Sequence, residues 1–385
     1  MRVTMMVRCL AMMRGGGETR HLAWMRELAA LGVDVDVIAG QPLAIGSARF
    51  PIRGVKATMI RSPYLRDWVY RFQRTRGFGR LTMDALHMDE EWFCRAAWRQ
   101  IASRPEPPDI VHAHALYQAA RLRRGPSAVV LNFPGEPNPR YAADIQQADA
   151  LVADGWAARH LPARLGRPVH AIPKGVDAEL FRPSGANLRD SLGVTGRHTM
   201  LCVARLVPLK NVALLIDAMA EVAQLDPKAH LIIAGDGPDE TALRAQAARL
   251  GLSERITFTG HVAHQQLAPL YRSADLFVLS SDFDNSPNVV LEAMACGLAV
   301  VATDAGGAAD YVAPSHGGSL TPPGDRLALA GAMMSWLADP VHRRAAGVFN
   351  RQRVVQQFSW RASAQRLLGV YESVLSERSQ RKASA

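Results

Sequence analysis

The chain has 385 residues, 48% of them apolar, with four cysteines and a formal net charge of +10. That apolar content over that length supplies cores for two α/β domains and excludes a disordered chain. Cys9, Cys94, Cys202 and Cys296 are far apart and show no CxxC spacing, so they read as reduced thiols of a cytosolic protein and not as a metal site. No run reaches the roughly 18 apolar residues of a membrane-spanning helix. The charge is unevenly spread: residues 1–180 carry 25 Lys and Arg against 17 Asp and Glu, and nine basic residues between Arg49 and Arg80 face the single acid Asp67. An anionic partner for the first half is expected. Nucleic acid fits less well, because no binding module is visible and the basic residues are confined to one region.

The opening MRVTMMVRCLAMMRGGG starts like a secretory leader, but Arg8 and Arg14 interrupt the apolar run, so a first strand over Val3–Val7 is expected. A glycine loop follows, then a helix with Leu22, Met25 and Leu28 at helical spacing, closed by Gly32, and a second strand from Val33 to Ala39. Gly16 and Gly17 leave backbone amides open to a diphosphate at the helix N-terminus, although an ordinary tight turn explains them equally well. Leu65, Trp68, Val69 and Phe72 form an apolar stripe with Arg66, Arg71 and Arg74 elsewhere on the wheel. Such a helix either packs on the core or docks on anionic lipid or a phosphate-bearing acceptor. Asp109 to Ala115 is a strand ending in His114, and Ala128–Leu131 is a strand running into the proline-rich turn Asn132 to Arg140, which contains Glu136. Asp149–Ala153 is a further strand, followed by Asp154.

A linker rich in Pro, Gly and Ser follows, reaching about Gly196. The strand at Thr199–Val203 leads to a loop with Arg205 and Lys210, a cation pair suited to a diphosphate. Leu231–Ala234 ends in a Gly-Asp-Gly-Pro turn, and Ile256 to Val262 is the next strand and loop. The stretch SSDFDNSPNVVLEAMACGLAVVATDAGG, from Ser280 to Gly307, follows the strand Leu276–Leu279 and reads as turn, helix and strand, one βαβ unit. Within it Ser286 is expected to cap a helix that starts at Pro287 and runs over Asn288–Cys296 to Gly297. Asp284 then precedes the helix and Glu292 lies inside it, both toward a ligand at the carboxyl end of the strands. Gly306 and Gly307 offer bare N–H groups to a phosphate. A last helix carries Ala364, Leu367, Tyr371 and Val374 on one stripe, and the polar tail from Glu377 is expected to be disordered.

Two acids eight positions apart, followed by EAMACGLAVVATDAGG, resemble the signature of the retaining glycosyltransferases of family 4. The resemblance implies the GT-B fold: α/β, two Rossmann-like domains facing a central cleft, with a C-terminal helix crossing back to the N-terminal domain. It is dense over residues 169–312, where Val169 to Pro183 matches the family's interdomain segment, and thin over residues 40–165. The domains it implies are 1–183 for the acceptor, 184–357 for the nucleotide sugar, and 358–385 for the crossover helix and tail. By resemblance, Arg205 and Lys210 neutralise the leaving diphosphate with help from Gly16, Gly17 and Gly307. Asp284, beside Asn285, holds donor-sugar hydroxyls, Glu292 holds the ribose, Val262 lies near the base, and His114 lies near the cleft. The family's turn His is absent at Asn132, so Asn132, Glu136 and His114 are the acceptor-side alternatives, with Arg66 and Arg71 beyond them.

The expected reaction moves a hexosyl group from a UDP- or GDP-linked sugar to a hydroxyl acceptor that is lipid-linked, phosphate-bearing or a metabolite. No cofactor and no metal are expected, although Asp282 and Asp284 spell the DxD of metal-dependent transferases. The expected location is the cytoplasm or the inner face of the membrane. Alternatives from other classes are a catalytically weak scaffold, for which the missing His argues, and a phosphorylase or sugar-nucleotide epimerase of the same fold.

Overall fold

The structure, a computed structural model, describes residues 1–10, 16–42, 55–62 and 79–384. The chain divides into two compact units, the first formed by Met1–Pro173 with Trp360–Ala385 and the second by Lys174–Ser359. The chain therefore leaves the first unit at Pro173, ten residues ahead of the expected boundary at Pro183, and returns at Trp360. The reason lies in the hydrogen bonds: Val176 N–H donates to the Phe358 carbonyl and Arg351 to the carbonyls of Ala178 and Phe181, all within the second unit.

The first unit is built on β1 (Arg2–Val7), β2 (Asp34–Pro42), β3 (Lys56–Ser62), β4 (Ile110–His114), β5 (Ala128–Phe133), β6 (Ala150–Ala153) and β7 (His170–Ala171). They form a parallel sheet in the order β3-β2-β1-β4-β5-β6-β7. Side chains alternate across a strand, so each strand of a sheet covered on both faces must be apolar throughout. In β1, Val3, Met5 and Val7 join the layer of Trp24 and Leu28, while Met6 joins the layer of Phe93 and Trp98 on the opposite face. Each such side chain, fully buried, contributes roughly 1.5–3 kcal/mol.

The last helix, Trp360–Ala383, belongs to the first unit and lays Ala364, Leu367, Tyr371 and Val374 into its core. Trp24 Nε1 donates to Ser363 Oγ at 2.8 Å, and the Tyr371 hydroxyl meets His112 Nδ1 at 2.8 Å. The tail expected to be disordered from Glu377 instead continues this helix to Ala383. Arg378 anchors it by donating to the Pro126 carbonyl at 2.7 Å, with the Asp149 carboxylate 3.3 Å away.

The second unit carries β8 (His198–Val203), β9 (Ala229–Ala234), β10 (Ile256–Gly260), β11 (Leu276–Leu279), β12 (Ala299–Thr303) and β13 (Gly318–Thr321). Their order in the second parallel sheet is β10-β9-β8-β11-β12-β13. In both sheets the order reverses beside one strand, at β1/β4 and at β8/β11. Loops leaving the two strands of such a pair diverge to opposite faces and open a crevice at their carboxyl ends. Among the described residues no helix is long and apolar enough to cross a membrane, and none of the four cysteines is in a disulfide.

Candidate functional site

In the second unit, the loops after β8 and β11 are tied together at the reversal point. Asp282 N–H donates to the Leu209 carbonyl at 3.0 Å and Ser280 Oγ to the Lys210 carbonyl at 3.2 Å. Asn211 adopts φ 42, where its side chain accepts from Leu214 N–H and so starts the helix Val212–Leu225. Its amide nitrogen donates to Asp282 at 2.7 Å. Lys210 Nζ lies 2.5 Å from Asp284 Oδ2, both half-buried, and Asp284 Oδ1 also accepts Ser286 N–H at 3.2 Å. The two expected donor-site groups are thus brought together, but as partners: the charge of Lys210 is already balanced by Asp284. Arg205 is exposed and makes no ion pair among the described residues. It lines a small cavity of about 200 Å³ with Val262, Gly235 and His261. Gly235 has φ +136, and a Cβ there would lie 1.8 Å from the Ala204 carbonyl oxygen, so the Gly-Asp-Gly-Pro turn packs directly under the arginine loop.

Two expectations in the Ser280–Gly307 stretch are corrected. Ser286 does not cap the helix, which runs over Asn288–Ala295 with Pro287 at its N-cap; the Ser286 hydroxyl meets Tyr311 OH at 2.5 Å instead. Gly307 does not offer a bare N–H, because it donates to the Asp284 carbonyl at 2.7 Å. The glycines at 306 and 307 serve close approach: a Cβ on Gly307 would lie 2.0 Å from the Asn285 carbonyl oxygen. Glu292 lies inside the helix Asn288–Ala295, as expected. It is 4% exposed, accepting the Tyr271 hydroxyl at 2.8 Å on Oε2 and meeting His264 Nε2 at 3.0 Å on Oε1. The hydrogen bond to Glu292 holds the His264 pKa above its ordinary value against the opposing effect of burial. Neither Tyr271 nor His264 was a sequence candidate, since neither belongs to a spaced motif.

In the first unit, Gly16 and Gly17 are the first two residues of the helix Gly16–Ala30, directly after β1. His114 ends β4 and is half-buried, with Nδ1 2.7 Å from Asn132 Oδ1, its register partner on β5. Asn132 itself is fully buried inside the strand, so it orients His114 and is not an acceptor contact in a turn. His112 is structural: burial pushes its pKa down to about 3, and it packs as a neutral ring against Tyr371. Glu136 is exposed and paired with Arg164. His114 and Glu136 share a cavity of about 590 Å³. Arg66, Arg71 and the amphipathic stretch around Trp68 lie outside the described residues.

The sequence reading also missed the buried pair of Arg20 and Asp154, which ties the first helix to the end of β6. Asp154 stands where the family's usual residue is Ser, and a carboxylate there, once buried, requires a cation. Among the described residues no three of His, Cys, Asp and Glu gather as ligands of a metal ion.

A family model described as Glycosyltransferase Family 4 matches residues 14–180, and one described as Glycosyl transferases group 1 matches residues 186–353. The chain is 33% identical over 206 residues to a GDP-mannose-dependent alpha-(1-6)-phosphatidylinositol monomannoside mannosyltransferase of Mycolicibacterium smegmatis. That match covers 51% of this chain and 54% of the relative, so the chain spans about half the relative's length. It is 31% identical over 314 residues to a D-inositol 3-phosphate glycosyltransferase of Acidothermus cellulolyticus, covering 77% of this chain and 68% of the relative. The fold matches the crystal structure of Anabaena HepE in complex with UDP, with a TM-score of 0.74 and 21% identity over 97% of this chain and all of that one.

Proposed function

Because the chain belongs to glycosyltransferase family 4, in the glycosyl transferases group 1, we propose that it moves a hexosyl group from a nucleoside-diphosphate sugar to a hydroxyl acceptor, with retention and without a metal. The observation that carries the reading is the Lys210–Asp284 pair at 2.5 Å across the β8/β11 reversal, with the exposed Arg205, which makes no ion pair among the described residues, on the same loop after β8. Arg205 takes the diphosphate oxygens in a fork, and Lys210 turns part of its charge from Asp284 to the phosphate as negative charge grows there. Asp284 in turn accepts hydroxyls of the donor sugar.

In the step itself, the bond from the anomeric carbon to the phosphate oxygen breaks with its electron pair leaving on the diphosphate. The acceptor oxygen bonds to the same face of that carbon, and the acceptor's proton passes to the departing phosphate. This route needs no protein base. The metal-free reading is supported by the carboxylates themselves, since Asp282 is taken by Asn211 and Asp284 by Lys210. The relatives' names make GDP-mannose the first donor to try and inositol-bearing molecules the first acceptors; a lipid-linked acceptor would put the reaction at the cytoplasmic face of the membrane.

A thermal-shift panel of GDP-, UDP-, ADP- and dTDP-sugars tests the reading on the wild type and on Arg205→Ala, a change at an exposed side chain. A ligand at about 100 times its Kd stabilises the folded state by about 2.7 kcal/mol. One nucleotide family should shift the wild type and lose most of that shift in the variant. No shift with any of them rejects the transferase and favours a scaffold protein.

A further inference from the structure

The cavity of about 590 Å³ in the first unit contains a carboxyl group that no motif announced. Glu90 lies on the helix Gly79–Ala102, is 3% exposed, and lines the cavity. Its Oε1 accepts the Gln118 backbone N–H at 3.0 Å, which fixes the carboxyl in place. The Tyr141 hydroxyl, also buried and on the same wall, faces the Glu90 carboxyl. The rings of Tyr117 and Tyr141, with centroids 5.1 Å apart, form an aromatic wall beside the two polar groups.

We propose that Glu90 and the Tyr141 hydroxyl hold a neutral hydroxylated ring, a sugar or a cyclitol, as the acceptor-reading pair of this cavity. The proposal rests on the transferase reading for its name as an acceptor site, but the ligand chemistry follows from the wall alone. A carboxyl and a phenol at the edge of an aromatic face match adjacent ring hydroxyls, with the ring's C–H face on the aromatic side. The described lining cations are already matched: Arg164 is paired with Glu136, and Arg8 lies 3.7 Å from the buried Asp89 carboxylate. The described wall therefore offers hydrogen bonds to hydroxyls and no uncompensated charge to a phosphate. Burial supports the assignment by pushing the Glu90 pKa from 4.5 up to about 7, against the opposing pull of the Gln118 amide, Tyr141 and Arg8. Near neutrality the carboxyl can either donate to or accept from a ring hydroxyl.

The test is saturation-transfer NMR on the full chain with myo-inositol and methyl α-mannoside, with inorganic phosphate as competitor, on the wild type, Glu90→Gln, Glu90→Ala and Tyr141→Phe. At least one ring should bind the wild type, with about tenfold weaker binding in Glu90→Gln, no detectable binding in Glu90→Ala, and about fivefold weaker binding in Tyr141→Phe. Whichever ring binds identifies the acceptor as sugar or cyclitol. Unchanged binding in all three variants, no binding of either ring to the wild type, or displacement by inorganic phosphate would overturn the proposal. A nucleotide thermal shift on the same samples separates the two ideas and shows that the variants fold. A retained shift without ring binding removes Glu90 alone, and Glu90-dependent ring binding without a nucleotide shift removes the transferase alone.

Discussion

Replacing Glu90 by Gln should flatten the pH dependence of the first unit's stability. Burial raises the Glu90 pKa from 4.5 to about 7, while Gln118 N–H, Tyr141 and Arg8 pull it down without prevailing. Cys94, Tyr117 and Tyr141 feel the same carboxyl, and each has its own pKa raised by burial first and by Glu90 second. The folded chain therefore holds the Glu90 proton more tightly than the unfolded chain. That contribution to stability is fully present below pH 4.5 and is lost as pH rises through about 7. At about 1.4 kcal/mol per pKa unit, the loss comes to about 3 kcal/mol. Glutamine keeps the shape and an oxygen for Gln118 N–H but carries no proton to lose, so the variant should gain that amount on the wild type across the window. Six of the seven tryptophans lie in the first unit and only Trp336 in the second, so tryptophan fluorescence during urea unfolding reports mainly on the first. Parallel stability profiles for the two proteins would refute the reasoning, since they would mean that water reaches Glu90 and it titrates as an ordinary carboxyl.

Two further changes probe the second unit. Asp284→Asn frees Lys210 from its 2.5 Å partner, so titration calorimetry should find the bare nucleoside diphosphate bound as tightly as in the wild type or several-fold tighter, while transfer falls about 100-fold; weaker diphosphate binding would deny Lys210 its place at the phosphate. Tyr271→Phe removes the hydroxyl that donates to buried Glu292 at 2.8 Å and should lower stability by about 2 kcal/mol in urea unfolding followed by circular dichroism; a change below about 0.5 kcal/mol would show that water takes over the bond.

The fold was legible because both sheets are covered on two faces, which makes their strands apolar runs punctuated by loops, and because the Ser280–Gly307 stretch holds a whole βαβ unit in consecutive residues. The candidate donor-side groups stand out in the sequence for the same reason. Arg205 and Lys210 share one loop, and Asp284 and Glu292 one turn and helix. What sequence reasoning got wrong depends on partners distant in the chain. Ser286 is drawn from its capping role by Tyr311, 25 positions away, and Gly307 spends its amide on the Asp284 carbonyl. The helix beyond Glu377 persists because Arg378 reaches Pro126 and Asp149, more than 200 positions back.

The first unit adds a different lesson, because its informative residues are those that break the family's pattern. Asn132, standing where a turn His was sought, is a strand residue whose side chain fixes the ring of His114 on the neighbouring strand. Asp154, standing for the usual Ser, is buried and would be costly alone, and Arg20 reaches it from the first helix. Each departure marks a polar group whose partner lies across the sheet rather than nearby in sequence. Glu90 is the limiting case: with no motif to break, it could be found only through its burial, its fixed oxygen and the cavity it faces. The second unit presents its candidate groups on the consecutive residues of two loops. The first assembles its cavity wall from a helix, a strand end and a turn, and there three-dimensional placement carries the chemical information.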